Sequence, residues 1–260
     1  MNPAARLVRE NILRVSHRSG HGHIPSCFSV VESLLAVYAA MRHDPAAPGR
    51  DDRDRFVLSK GHAALAHYCV LARQGYFPVD EVERFGGYCS TFGCHADRHK
   101  VPGVEASTGS LGHGIALAVG MALGLRIQGA ASRVYTLVGD GEANEGSVWE
   151  ALLAAADLRL ANLTVLYDDN RSHGRGLQIS NPTEKLAAFG CHVHEVDGHD
   201  LDALSSALAA PTDRVKAVVA RTVKGFGCPT LASNHYAWHR RSPNDAELAQ
   251  LLEELNAPAV

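Results

Sequence analysis

Val134-Tyr135-Thr136-Leu137-Val138 runs into Gly139-Asp140-Gly141-Glu142-Ala143-Asn144-Glu145-Gly146, and further on Leu163-Thr164-Val165-Leu166-Tyr167 runs into Asp168-Asp169-Asn170. Each apolar run is short, β-branched and bounded by polar residues, as a buried parallel strand is. Between them, Glu145 to Leu158 carries apolar residues at helical spacing. A strand, a helix and a second strand imply a right-handed crossover in a parallel sheet. Asp140 and Asn170 then both lie just past the carboxyl ends of strands, the edge where open α/β sheets bind ligands. Gly139 and Gly141 allow a tight turn and close approach to a ligand. The free N–H groups of the following helix suit a phosphate.

Outward from this stretch the alternation continues. Strands are expected at Phe56 to Leu58, Val193 to Val196 and Val215 to Ala220. Helices are expected at Pro3 to His17, from Ser29 through Val37, Ala63 to Arg73, Leu111 to Leu125, ending at Leu186 to Gly190, Leu201 to Ala209 and Asn244 to Leu255. The fold class is therefore α/β, three layers with a mostly parallel central sheet. Residues 1–260 read as one domain, with no internal repeat and no low-complexity linker.

Composition narrows the function. The chain has 260 residues, 46% hydrophobic and 20% charged, with a formal net charge of -3. No basic stripe argues for nucleic acid. The most apolar stretch, Gly114 to Leu125, falls far short of the roughly 20 residues a membrane span needs. The N-terminus lacks the apolar core of a signal peptide, so a cytoplasmic location is expected. Six cysteines without a C-x-x-C pair read as free thiols.

One carboxylate and one amide do not hold a bare cation. Mg²⁺ takes about six oxygens and often shares them with phosphates and water. Asp140, Asn170, a nearby carbonyl, two diphosphate oxygens and a water would fill that shell. The pattern thus predicts a metal-bridged diphosphate, with neither a lysine nor a P-loop required. A Zn²⁺ site from Cys89, Cys94, His95 and His99 is a rival use of one cluster, unsupported by a second cysteine pair.

The G-D-G stretch, the later Asn170 and the flanking GDGEANEGSVWEA and LTVLYDDN resemble the transketolase family, particularly transketolases split into two chains. The resemblance runs from about Arg6 to Asp245. It implies the thiamine diphosphate-binding fold of the pyrophosphate domain, with thiamine diphosphate and Mg²⁺ (or Ca²⁺ or Mn²⁺) as cofactors. Asp140 and Asn170 would ligate the metal, with the Ser172 carbonyl as third protein ligand. Gly139, Gly141 and Glu142 would lie against the cofactor. Thr108-Gly109-Ser110-Leu111-Gly112 would place backbone at Gly109 and Leu111 on the aminopyrimidine.

Histidines are numerous, 15 in all, and four match the family's substrate and proton-handling positions. These are His23 in Gly22-His23-Ile24, His62 in Ser59-Lys60-Gly61-His62, His95 in Cys94-His95 and His239 in Trp238-His239. His23 is preferred to His21 because it stands nine residues before an acidic residue, Glu32. His62 would also touch the cofactor. Glu145 matches a glutamate that faces the partner domain.

The implied activity is transfer of a two-carbon glycolaldehyde unit from a ketose or ketose phosphate to an aldose. The pyrimidine-binding and C-terminal domains are expected on a partner chain, a C-terminal transketolase subunit, in an α₂β₂ assembly. Alternatives are a subunit of a 2-oxoacid dehydrogenase or synthase, or a regulatory paralogue without activity. Three departures from the family bear on donor and acceptor choice and suggest specialised metabolism: the short loop Arg171 to Ile179, Pro25-Ser26 after His23, and Arg240 where glycine is usual.

Overall fold

In the computed structural model the residues described are 1–172, 177 and 179–257. Five parallel strands form one sheet in the order β1-β2-β3-β5-β4. They are β1 Arg55–Leu58, β2 Val134–Gly139, β3 Leu163–Asp169, β4 His192–Asp197 and β5 Lys216–Arg221. β2 and β3 are neighbours, with Gly139 opposite Asp168, so the two chemistry-bearing turns leave the sheet side by side. Every residue of β2 and β3 is buried, which is why both read as unbroken apolar runs.

Helices cover both faces. On one face lie α1 Pro3–Ser19, α2 Ile24–Phe28, α3 Val31–Ala40, α4 Ala64–Gln74, α8 Leu201–Ala209, α9 Pro229–Ser233 and α10 Asp245–Asn256. They pack on Phe56, Leu58, Tyr135, Leu137, Leu166 and Val218. On the other face, α5 His113–Ile127, α6 Gly146–Asp157 and α7 Pro182–Ala188 pack on Val57, Val138, Val165, Tyr167 and Val219. The three-layer α/β/α reading is correct. Its local signals also hold: Asn2 caps α1, which stops at left-handed Gly20, and Asn244 with Glu247 forms a capping box on α10.

One expectation shifts. The helix expected from Ser29 through Val37 begins at Val31 as α3; a separate short helix, α2, precedes it, and Ser29 lies between the two. Its hydroxyl donates instead to Asp168, at 2.8 Å. The helix expected over Glu145 to Leu158 is α6, Gly146–Asp157, and a 3₁₀ turn at Glu142–Asn144 precedes it. Gly146 and Glu145 are exposed.

Candidate functional site

A cleft of about 510 Å³ opens at the carboxyl edge of β2. Loops from distant parts of the chain bring His23, His62, His95 and His239 to it, together with Asp140 and Ser172. His23 precedes α2, His62 sits in the 3₁₀ turn after β1, and His239 follows α9. Three of the rings form a triangle. The centroid of His23 is 5.3 Å from that of His62 and 5.0 Å from that of His239, and His62 and His239 are 6.0 Å apart. His21 is exposed and takes no part.

The close approach of two loops depends on glycine. A Cβ on Gly61 would lie 2.7 Å from the Gly109 nitrogen, so only glycine lets the His62 turn rest on the 108–109 backbone. Gly109 itself has φ of +144°, and a Cβ there would press on the His95 ring at 3.0 Å. Gly109 and Leu111 therefore border the cleft beside His95.

Burial and neighbouring positive charge keep the imidazoles of His23, His62 and His239 neutral at pH 7. Burial first, then His239, His95 and Arg240, lowers the His23 pKa to about 4. Burial, then Lys224 and Arg240, lowers that of His239 to about 4. His62 is held well below its ordinary value by burial and Lys60. A neutral imidazole offers one N–H donor and one acceptor, so each can bind a hydroxyl and pass on its proton.

Asp140 lines the same cleft and is joined to Asn170 through Ser172. The Ser172 N–H donates to Asp140 Oδ2 at 2.7 Å and to Asn170 Oδ1 at 3.0 Å. The Ser172 hydroxyl and the Gly141 N–H both reach Asp140 Oδ1 at 2.7 Å. The Asp140 and Asn170 oxygens thus converge on one point. The Ser172 groups bonded there are its N–H and hydroxyl rather than its carbonyl. Of the short loop after Asn170, residues 173–176 and 178 lie outside the described residues, His173 among them.

Asn170 is aimed by a buried polar network. Asp168 Oδ2 accepts from Lys60 Nζ at 2.6 Å, Ser29 Oγ at 2.8 Å and Asn170 Nδ2 at 2.8 Å, and Oδ1 accepts from Thr222 Oγ1 at 2.5 Å. The amide nitrogen is thereby turned inward and Oδ1 outward. Glu142 is similarly engaged. Its carboxylate accepts from Ser59 Oγ, the Gly112 N–H and the Gly139 N–H at 2.6, 2.9 and 3.1 Å. Burial pushes its pKa up, and those donors oppose the shift. Glu142 borders the cleft, but its charge is directed at the protein. Glu145, by contrast, is exposed at the start of α6 and does not line the cleft.

Sequence reading missed two cations. Lys60 and Lys224 both line the cleft, although the metal-bridged pattern was expected to need no lysine. Burial, then Lys60, lowers the Lys224 pKa to about 8, so it stays charged at pH 7. Lys224 follows β5, just past the carboxyl end of the strand beside β3. The strand-edge rule that found Asp140 and Asn170 would have found it too. Lys224 lies within electrostatic reach of Asp140, whereas Lys60 is paired with Asp168. The expected zinc rival has no support, since among the described residues no group of three His, Cys, Asp or Glu stands ready for a metal. The Asp140–Asn170 oxygens fit a metal only if an outside ligand completes its shell, as the phosphates of a diphosphate would.

A neighbouring cleft of about 1130 Å³ shares Lys224 and includes Asn170. None of the four imidazoles lines it.

Comparison with known proteins agrees with this geometry. Residues 4–257 match the family model "Transketolase, thiamine diphosphate binding domain". One chain of an apulose-4-phosphate transketolase from Actinobacillus succinogenes is 36% identical, over 96% of this chain and 94% of its own. One chain of a 6-deoxy-6-sulfo-D-fructose transketolase from a Clostridium species is 37% identical, over 86% of this chain and 84% of its own. A crystal structure of a transketolase variant from Pichia stipitis superposes with a TM-score of 0.89 at 28% identity, over 97% of this chain and 40% of the other. No helix among the described residues is long and apolar enough to cross a membrane. The chain belongs to the transketolase family, as a member of its thiamine diphosphate-binding domain.

Proposed function

We propose that this chain is the thiamine diphosphate- and Mg²⁺-binding subunit of a two-chain transketolase. It would move a two-carbon glycolaldehyde unit from a ketose or ketose phosphate to an aldose. The observation that carries this reading is the convergence of the Asp140 and Asn170 oxygens on Ser172, where Asp140 and Ser172 line the same cleft as the His23–His62–His239 triangle.

Asp140, Asn170 and an oxygen of Ser172, carbonyl or hydroxyl, would hold Mg²⁺, with Ca²⁺ or Mn²⁺ as substitutes. Lys224 would neutralise diphosphate charge, and Gly109 and Leu111 would border the aminopyrimidine. When bound, thiamine diphosphate supplies the carbon nucleophile that accepts the two-carbon unit. The chain's own work is done by imidazoles. His23, His62, His95 and His239 hold the sugar hydroxyls and take up or return their protons, a role suited to imidazole. A 2-oxoacid substrate, without a polyol chain, gives four convergent imidazoles less to bind.

The partner chain belongs to the same proposal. The apulose-4-phosphate transketolase relative, whose name makes it one subunit of its enzyme, is matched over 94% of its length. This chain spans only 42% of mouse transketolase. That contrast supports a second, C-terminal subunit carrying the pyrimidine-binding domain, in an α₂β₂ assembly. Exposed Glu145 is free to meet it. A cytoplasmic setting fits six free cysteines.

The test is calorimetric titration of thiamine diphosphate into the chain and its partner, with and without Mg²⁺. Metal-dependent binding that Asp140→Ala removes is the expected result. Binding indifferent to Mg²⁺ would overturn the metal site, and no binding at all would overturn the function.

A further inference from the structure

Among the described residues, three cationic side chains line the cleft, Lys60, Lys224 and Arg240, and their surroundings differ. Lys60 is neutralised by Asp168, at 2.6 Å. Lys224 lies within electrostatic reach of Asp140 and Asp168. Arg240 lies within reach of His23 and His239. Both of those rings are neutral at pH 7 and bring Arg240 no opposite charge. Among the described residues no carboxylate pairs with Arg240, whereas the adjacent Arg241 pairs with Glu247 and lies over Trp238.

An unpaired guanidinium beside neutral imidazoles is a poor choice for a purely neutral sugar. Its charge opposes protonation of the rings that must carry protons, without a compensating ion pair. It is well suited to an oxyanion, which the planar fork of five N–H donors can take in two-point fashion. The cofactor's diphosphate is accounted for at the Asp140 end, by Lys224 and the metal ligands.

The geometry points to Arg240 as a specificity-determining residue that binds an oxyanion carried by the sugar substrate, such as phosphate, sulfonate or carboxylate. This rests on the transketolase reading for the identity of the substrate as a sugar. The anion site itself rests on the cleft alone.

The experiment uses inorganic phosphate as probe, in the presence of saturating Mg²⁺ and thiamine diphosphate. Phosphate binding is followed by NMR of the imidazole rings of His23 and His239. Cofactor affinity is measured on the same samples. Arg240→Gln should weaken phosphate binding about tenfold, the scale of one lost charge-assisted contact. It should leave cofactor affinity within about twofold, and Arg240→Lys should recover part of the loss. Unchanged phosphate affinity in Arg240→Gln overturns the inference. So does a parallel loss of phosphate and cofactor binding, because Arg240 would then serve the diphosphate. If no variant binds cofactor, the function proposed above falls, while the comparison of phosphate affinities still decides the role of Arg240. In the active assembly, the same substitution should raise KM for a ketose phosphate more than KM for its unphosphorylated counterpart.

Discussion

Lys60 Nζ lies 2.6 Å from Asp168 Oδ2, and both side chains are almost wholly removed from solvent. Because Asp168 also receives the amide of Asn170, at 2.8 Å, this ion pair belongs to the support of the proposed metal site. Removing one partner of a buried pair strands the other charge, at a cost of about 3–5 kcal/mol. Asp168→Ala should lower unfolding free energy by that amount in urea denaturation and weaken thiamine diphosphate binding. Full stability in the variant would show that Lys60 finds water or another partner.

Glu142 accepts three hydrogen bonds, from Ser59, Gly112 and Gly139. A glutamine has the same shape, but its NH₂ cannot accept. Glu142→Gln therefore leaves one buried donor unmatched and should cost about 1–3 kcal/mol. Equilibrium denaturation checks this, and a wild-type midpoint would mean that the turn rearranges.

Gly61→Ala sets a methyl group 2.7 Å from the Gly109 nitrogen. The neighbouring atoms are backbone and cannot swing aside. Overpacking of this kind costs about 1–3 kcal/mol, and here it also pushes His62 away from the cleft. A lower Tm together with a reduced kcat is expected. A drop in Tm alone would separate the contact from catalysis.

The imidazoles give the stability a pH dependence of definite sign. His23 and His239 have folded pKa values of about 4, against an ordinary 6.5. Between those values the unfolded chain binds protons that the folded chain refuses, so stability falls as pH drops from 6.5 towards 4. The groups responsible besides burial are His239, His95, Arg240 and Lys224 for His23, and Lys224, Arg240, Lys60 and His235 for His239. His23→Asn/His239→Asn should flatten the fall in Tm over this window. An unchanged slope would assign the acid sensitivity to other groups.

Glu145 is exposed at the start of α6, with no side-chain cap bond. Glu145→Ala should change the stability of the isolated chain by no more than about 0.5 kcal/mol, while weakening assembly with the partner subunit. Sedimentation velocity of the mixed chains measures this. Wild-type assembly would remove Glu145 from the interface.

Much of this architecture was legible because each element carried its own local signal. β2 and β3 are buried on both faces, and their turns present polar residues that have no reason to follow an apolar strand except chemistry. Asp140, Asn170 and the four histidines stood out on those grounds and through the family resemblance. What escaped notice depends on contacts distant in sequence. Ser29 looked like a helix start because serine commonly is one, but its partner, Asp168, lies in another strand. Lys60 looked like part of the His62 motif, and its ion pair is set by strand order. Lys224 follows an ordinary buried strand, β5, and its role emerges only from the sheet placing β5 next to β3. The 3₁₀ turn at Glu142–Asn144 ahead of α6 also escaped, because those residues are compatible with either geometry.

The strand order has a consequence for folding. All the strands pair in parallel, so no hairpin forms anywhere in the sheet. Each ladder must close across an intervening crossover, which gives high contact order and slow assembly. β5 lies between β3 and β4, and His239 follows it in the chain, so the contact of His23 with His239 in the cleft closes a long stretch of chain. A ligand held by that cleft stabilises the finished domain and no fragment of it, through mass action on the native state alone. Cofactor supply would then act as a late checkpoint on the maturation of the chain.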